Sequence, residues 1–349
     1  MISNRKPRSL PLDLWPEADR RAWTAACEPS QRLKAGGRAG HLKPVTRDAH
    51  RADYGNFLGF LDRSSWLERN GPAAANVVPE KVTAYIAELK DRVASTTLYG
   101  SISNLRRVAQ YITPGHDFTW LAEIDKDLAL VAQPRSKFDH FVLPEVLVEA
   151  GLALIQEAED SRTMTKLARA YQVRNGLMVA LLAFCPIRRK NFAALEVGRS
   201  FIKIGGQWWI ILSAAETKER RADERPVDEL LTPIIDRFLA QHHPVLAHSD
   251  QPSPRLWLSA KSGTPLPDRE ITSVIQRTTL ATVGMPLGPH TFRTSAASGA
   301  AIYAGDNPNL GSAVLHHTDP RVTSTNYNRA TCLSAAEKFL QLVRQYEKR

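Results

Sequence analysis

The chain is poor in cysteine. Cys27, Cys185 and Cys332 are its only three in 349 residues, they are widely spaced, and no CxxC occurs. Such a set indicates neither a disulfide framework nor a zinc site, and a reducing compartment fits it. Long apolar runs are missing as well. No stretch approaches the roughly 18 apolar residues of a membrane span, and the opening "MISNRKPRSLPLDLWPEADRR" carries no apolar leader, so neither spanning nor secretion is supported and a cytoplasmic location is expected. There is no GxxxxGK[ST] loop, no HExxH and no carboxylate cluster suited to two magnesium ions, which leaves nucleotide-driven and metal-driven catalysis without a signature. His242 and His243 adjoin each other but lack Cys or carboxylate ligands at useful spacing, so a surface pair is expected there and no metal or cofactor. An aromatic single-strand platform of the RNP type is also absent, which weakens an RNA-binding reading.

What is present is enough apolar material, 43% of residues with 23% charged, for two domains that each bury a core. Lys and Arg outnumber Asp and Glu by 46 to 36, a net charge of +10 that favours a polyanionic partner. Residues 1 to 40, rich in Pro, Arg and Gly and ending in "RLKAGGRAG", read as a partly ordered arm. A helical unit is expected over 41 to 134. In it, Thr46 is a plausible N-cap, Tyr54, Phe57, Leu58 and Leu61 form one stripe, and Pro79 opens a second helix. Leu98, Ile102, Leu105, Val108 and Ile112 mark a third helix, and residues 118 to 132 a fourth. "AQPRSKFDHFVLP" breaks the periodicity and reads as a linker, beyond which a larger unit fills 135 to 349. Its long helix "YQVRNGLMVALLAFC" leads into "PIRRKNFAALEV", and only then do strands appear: "SFIKI", a Gly205-Gly206 turn and "QWWIILS". The later segments "DELLTPIIDRFLAQH", "DREITSVIQRTTLATVG", "HTFRTSAASGAAIYAG" and "PNLGSAVLHH" return to helical period.

Some short stretches of this second unit hold polar groups in unusual places. "CPIRRKNFAAL" sets Arg188 and Arg189 at the start of an otherwise apolar helix, "AAETKERRADERPVDEL" puts Lys218 just past a strand in a charged hairpin, and "PHTFR" spaces His290 and Arg293 for one helical face. "VLHHTDPRVTSTNYNRA" adds His316, His317 and Tyr327. Each taken singly has an ordinary structural reading: a surface ion pair, a solvated lysine, a helical His-Arg pair, a half-buried tyrosine anchor.

Taken in order, Arg188, Lys218, His290 with Arg293, His317 and Tyr327 resemble the tyrosine recombinase or phage integrase family. "CPIRRKNFAAL" is similar to the family's TGLR-(I/M)-SEL motif, with Arg188 in the arginine place, and "TKERRADERPVDEL" to its TK…R-x-(V/I)-P-L hairpin, with Lys218 as the lysine. His290-Thr291-Phe292-Arg293 matches H-x-L-R, and Gly305, "VLHH" and Tyr327 match G…LLGH…Y. The departures are Cys185-Pro186 for TG, Lys190-Asn191 for SE, and His316 for the glycine before the histidine. Arg189 takes the place of Arg188 if the helix is rotated, and His316 competes with His317, although register favours His317.

The resemblance implies a mainly α fold: an N-terminal helical core-binding (SAM-like) bundle, then a mixed α+β catalytic domain with a small antiparallel sheet. It implies that Arg188, Arg293 and His317 grip the scissile phosphate, that His290 serves as base and Lys218 as acid, and that Tyr327 is the nucleophile. The product is a 3′-phosphotyrosyl enzyme, which conserves the bond energy and calls for no cofactor. Implied partners are double-stranded DNA with specific recombination sites and further copies of the chain in a homotetramer on DNA, with room for an accessory directionality factor; no membrane is involved, and a nucleoid-associated location follows. Arg106, Arg107 and Lys90 are candidate phosphate contacts on the first unit, with a plain solvated face as the alternative, since that unit is nearly charge-neutral. The stripe Phe339, Leu340, Val343 and Tyr346 is expected either to pack on its own domain or to dock on a neighbouring protomer. The rival readings are a topoisomerase-like or resolvase-like enzyme of the same chemistry, and a non-catalytic DNA-binding regulator that retains the fold.

Overall fold

The computed structural model describes residues 8–33, 35–133, 142–249, 253–303, 307 and 309–316. The chain divides into two compact units, Met1–Arg135 and Ser136–Arg349, and the described residues are mostly helical with one small sheet.

In the first unit, α1 (Glu17–Ala26), α2 (Pro44–Arg63), α3 (Pro79–Lys90), α4 (Ser95–Ile112) and α5 (Thr119–Val131) close around one core. The stripes expected on α2 and α4 are the buried ones: Tyr54, Phe57, Leu58 and Leu61 on α2, and Leu98, Ile102, Leu105, Val108 and Ile112 on α4. Thr46 is not the cap of α2; Lys43 holds that place in extended backbone, because Pro44, with its preset φ and no N–H to leave unpaired, opens the helix.

The reading of residues 1 to 40 as an arm needs correction from residue 8 onward. Leu10, Trp15, Trp23, Ala26 and Ala39 are buried in the same core as the α2 and α4 stripes. Composition misleads here because a few large side chains outweigh the Pro, Arg and Gly around them: the Trp15 ring lies 4.8 Å from that of Tyr54, and its Nε1 donates to the Leu10 carbonyl at 2.9 Å. Asp19, 1% exposed, fastens the segment by accepting from the Tyr54 hydroxyl at 2.8 Å and the Ala74 amide at 2.7 Å. Asp19→Ala is therefore expected to leave two buried donors unpaired, at roughly 1–3 kcal/mol each. Urea unfolding of the first unit checks this, and an unchanged midpoint would mean the segment is not part of the core.

The second unit is centred on α7 (Lys166–Phe184), whose residues from Val173 to Ala183 are all buried, so this stretch has no solvent-facing side. It packs against α6 (Pro144–Asp160), a helix the sequence reading leaves unassigned. Gly151 and Gly176 explain how closely: a Cβ built on either would lie 2.7 Å from the carbonyl oxygen of the other, so the two backbones touch where side chains would hold them apart. Residues 134–141 of the expected linker fall outside the described residues, and its last residues already belong to this unit, with Val142 buried and Pro144 opening α6.

After α8 (Arg189–Ala193) come β1 (Phe201–Ile204), β2 (Gln207–Leu212) and β3 (Asp223–Pro226), an antiparallel sheet in the order β1-β2-β3. Gly205 and Gly206, with φ of 57° and 89°, supply the positive φ values that a two-residue hairpin turn asks for. The segment "DELLTPIIDRFLAQH", expected as helix, is divided into a 3-10 turn Glu229–Leu231, α9 (Thr232–Arg237) and a π-helical turn Phe238–His242, and α10 (His243–Ala247) follows it. His242 and His243 are buried, not a surface pair: their Nε2 atoms meet Glu159 Oε1 and the Arg255 carbonyl, each at 2.9 Å. The remaining described helices are α11 (Asp268–Val283), α12 (Pro289–Tyr303) and α13 (Leu310–Leu315). None of the described helices is long and apolar enough to cross a membrane.

Candidate functional site

Pro186 interrupts the chain two residues beyond the end of α7, and Arg188 stands in extended backbone as the residue capping α8. This break sends the two neighbouring arginines in different directions. Arg188 Nη2 donates to Glu219 Oε1 at 2.8 Å, while Arg189 Nη2 reaches Asp268 Oδ2 on α11 at 3.0 Å. The Arg188 side chain is the more enclosed, 26% exposed against 48%. Cys185, at the place of the resembled threonine, is buried, and that burial pushes its thiol up to about 12, so it remains an unreactive thiol.

Lys218 is exposed on the loop between β2 and β3, next to the Glu219 that meets Arg188. The loop is closed at its base by buried Thr217, whose hydroxyl donates to the Arg221 carbonyl at 2.7 Å and accepts from the Arg221 amide at 3.1 Å. It is further held where Glu216 Oε2 accepts from the Ser213 amide at 2.9 Å. Lys218 is thus carried by an ordered loop that itself touches the first arginine.

On α12, His290 is exposed and Arg293, 4% exposed, is buried one turn later. The Arg293 guanidinium bridges two chain segments: Nη1 donates to the Pro186 carbonyl at 2.6 Å and Nη2 to the Leu315 carbonyl at 3.0 Å. The first contact lies two residues before Arg188 and the second is the last residue of α13. Arg188, Lys218 and Arg293 therefore sit on elements that touch one another, with His290 one turn from Arg293.

His316 ends α13 in the left-handed region, at φ 54° and ψ 46°. A residue with a Cβ pays about 1–2 kcal/mol for that conformation and glycine does not. The motif it resembles has glycine at this place. Its Nδ1 lies 3.6 Å from Asp223 Oδ1, and its Nε2 is buried with no hydrogen-bond partner among the described residues. His317, Tyr327, Gly305 and the stripe from Phe339 to Tyr346 lie outside the described residues.

Asp223, Arg225 and Glu219 also belong to this region, and motif reading assigned them no role. Arg225 is the arginine of the resembled R-x-(V/I)-P-L hairpin, so a signal was present. Among the described residues no group of three or more His, Cys, Asp or Glu is arranged to hold a metal ion. Of the candidate contacts on the first unit, Arg106 pairs with buried Asp125 at 2.9 Å, whereas Lys90 and Arg107 are exposed.

No protein-family model matches the sequence, and no curated protein does either. Solved structures do match. One is a XerH site-specific recombinase bound to its difH substrate in a pre-cleavage complex, at 14% identity and a TM-score of 0.56, covering 94% of this chain and 98% of that one. Another is a XerA recombinase at 15% identity and a TM-score of 0.39, covering 87% and 94%. With the first likeness spanning nearly the whole of both chains, and with the motif-bearing elements converging as described, this chain has the tyrosine recombinase fold.

Proposed function

We propose that the chain is a site-specific tyrosine recombinase, which cuts and rejoins duplex DNA through a 3′-phosphotyrosyl intermediate and a four-way junction. The observation that carries this reading is Arg293, whose guanidinium ties the turn before Arg188 to the end of α13. Attack on a phosphodiester builds charge on its non-bridging oxygens, and preorganised cations are the main means of stabilising it. Arg188 and Arg293 suit the task, since a guanidinium keeps its charge and offers a planar fork of donors. The left-handed backbone at His316 supports the register in which His316 replaces the glycine and His317 is the phosphate ligand. The direction of Arg189 toward α11 supports Arg188 as the first arginine. His290 would take the proton from Tyr327, whose phenol, with a free pKa of about 10, is a weak nucleophile otherwise, and Lys218 would return a proton to the leaving 5′-oxygen. Site-specific duplex DNA, a tetramer on it and an accessory directionality factor belong to the same proposal, as does use in integration, excision or dimer resolution.

Trapping tests it: the protein is mixed in EDTA with nicked duplexes from the DNA flanking its own gene, and a protease-sensitive covalent band is expected. Salt-sensitive binding to those duplexes without any band would favour the non-catalytic regulator instead. Glu219 supplies a second expectation, because its carboxylate occupies the Arg188 fork where a phosphate oxygen would bind. Glu219→Gln is expected to tighten binding of the same duplex by up to about fivefold, as about 1 kcal/mol is the most that a partly exposed ion pair usually contributes. Fluorescence anisotropy at one fixed salt concentration measures the change.

A further inference from the structure

Asp223 and Arg225 on β3 are nearly enclosed, their side chains 11% and 13% exposed. Each of the three nitrogens of the Arg225 fork has a partner within the protein. Nε and Nη2 donate to the two Asp223 carboxylate oxygens at 2.7 and 3.0 Å, and Nη1 donates to the Val314 carbonyl at 2.6 Å. Arg293 takes the next carbonyl, that of Leu315, at 3.0 Å. The same Asp223 carboxylate faces Nδ1 of His316 at 3.6 Å.

We infer that Arg225 is a positioning residue: with Asp223 as its anchor, it clamps the last turn of α13 to β3 and so fixes the backbone up to His316, the residue before His317 in the sequence. The inference rests on the recombinase reading above, in which His317 binds the scissile phosphate. A helix as short as Leu310–Leu315 has little stability of its own; the His316 amide serves the Ser312 and Ala313 carbonyls, and the last two, of Val314 and Leu315, take their donors from Arg225 and Arg293. The strained left-handed residue that follows adds a further cost, so external contacts have to hold the turn in place. Arg225 and Arg293 do so from opposite elements, β3 and α12, on consecutive carbonyls. Two cations at a helix C-terminus also complement its dipole. Because Asp223 neutralises Arg225 at close range, the guanidinium acts here through its geometry more than through its charge. Lysine preserves the charge but a single ammonium cannot reproduce the fork that reaches Asp223 and Val314 together.

The experiment uses the full chain and the nicked duplexes that trap the adduct, and compares the single-turnover rate of adduct formation with duplex affinity and thermal unfolding. Arg225→Lys is expected to lower the rate about 100-fold, the scale of an ångström-sized misplacement, while the duplex Kd stays within about twofold. Asp223→Asn covers the case in which Arg225→Lys does not fold, and is expected to lower the rate about 10-fold with the same unchanged Kd. Rescue by lysine to the wild-type rate overturns the inference, as does a loss of affinity equal to the loss of rate, which would make Arg225 a DNA contact. A wild-type adduct that both variants leave untouched overturns the positioning role alone. Absence of any adduct in the wild type overturns the parent reading, and the positioning role with it.

Discussion

Arg293→Ala is expected to lower covalent-adduct formation about 10²- to 10³-fold, the scale seen when a preorganised donor to a developing oxyanion is removed. Its second effect comes from what the guanidinium holds within the protein. The Pro186 and Leu315 carbonyls would both lose their donor, at roughly 1–3 kcal/mol for each acceptor left buried and unpaired. Catalysis and local stability should therefore fall together, and urea unfolding measured beside the adduct rate separates them. Arg293→Lys retains the charge but cannot span two carbonyls and a phosphate, so it is expected to behave more like the alanine variant than like the wild type. A lysine variant of near-wild-type rate would show that charge alone suffices and would remove Arg293 from the proposed phosphate grip.

Tyr327→Phe is expected to abolish the covalent adduct while duplex affinity stays unchanged, since the phenol oxygen is the one atom removed. Phosphodiester attack without that oxygen has no protein nucleophile in the proposed mechanism, so the loss should be complete and not partial. Trapping with the same nicked duplexes reads it directly. Adduct at the wild-type level in Tyr327→Phe would move the nucleophile to another residue. Adduct lost together with DNA binding would assign Tyr327 to the interface instead.

Much of the helical architecture was legible in the residues themselves, because apolar side chains at helical spacing report a buried stripe wherever one helix face meets one core. The α2 and α4 stripes are of this kind, and the Gly205-Gly206 turn is legible for the same local reason, since positive φ at consecutive positions nearly requires glycine. Local rules fail where a segment's fate depends on a distant partner. Nothing near Asp19 in the chain announces that Tyr54 and Ala74 will satisfy it, so Trp15 and Trp23 read as parts of an arm although they are core. In the same way His242 and His243 have no sequence neighbour that predicts burial; Glu159 and Arg255 provide their partners.

At the candidate site, residue order and type by themselves determined the resemblance and named Arg188, Lys218, His290, Arg293, His317 and Tyr327, because phosphoryl chemistry restricts which side chains can serve and a shared motif preserves their order. Only the tertiary structure decided what those side chains touch. Arg188 faces Glu219 and Arg189 faces Asp268 because Pro186 interrupts the backbone between two helices, and Arg293 and Arg225 close on consecutive carbonyls of α13 from different elements. The physical reason is range: chemistry is written in single residues and short spacings, whereas hydrogen-bond partners for buried charges come from wherever the chain returns.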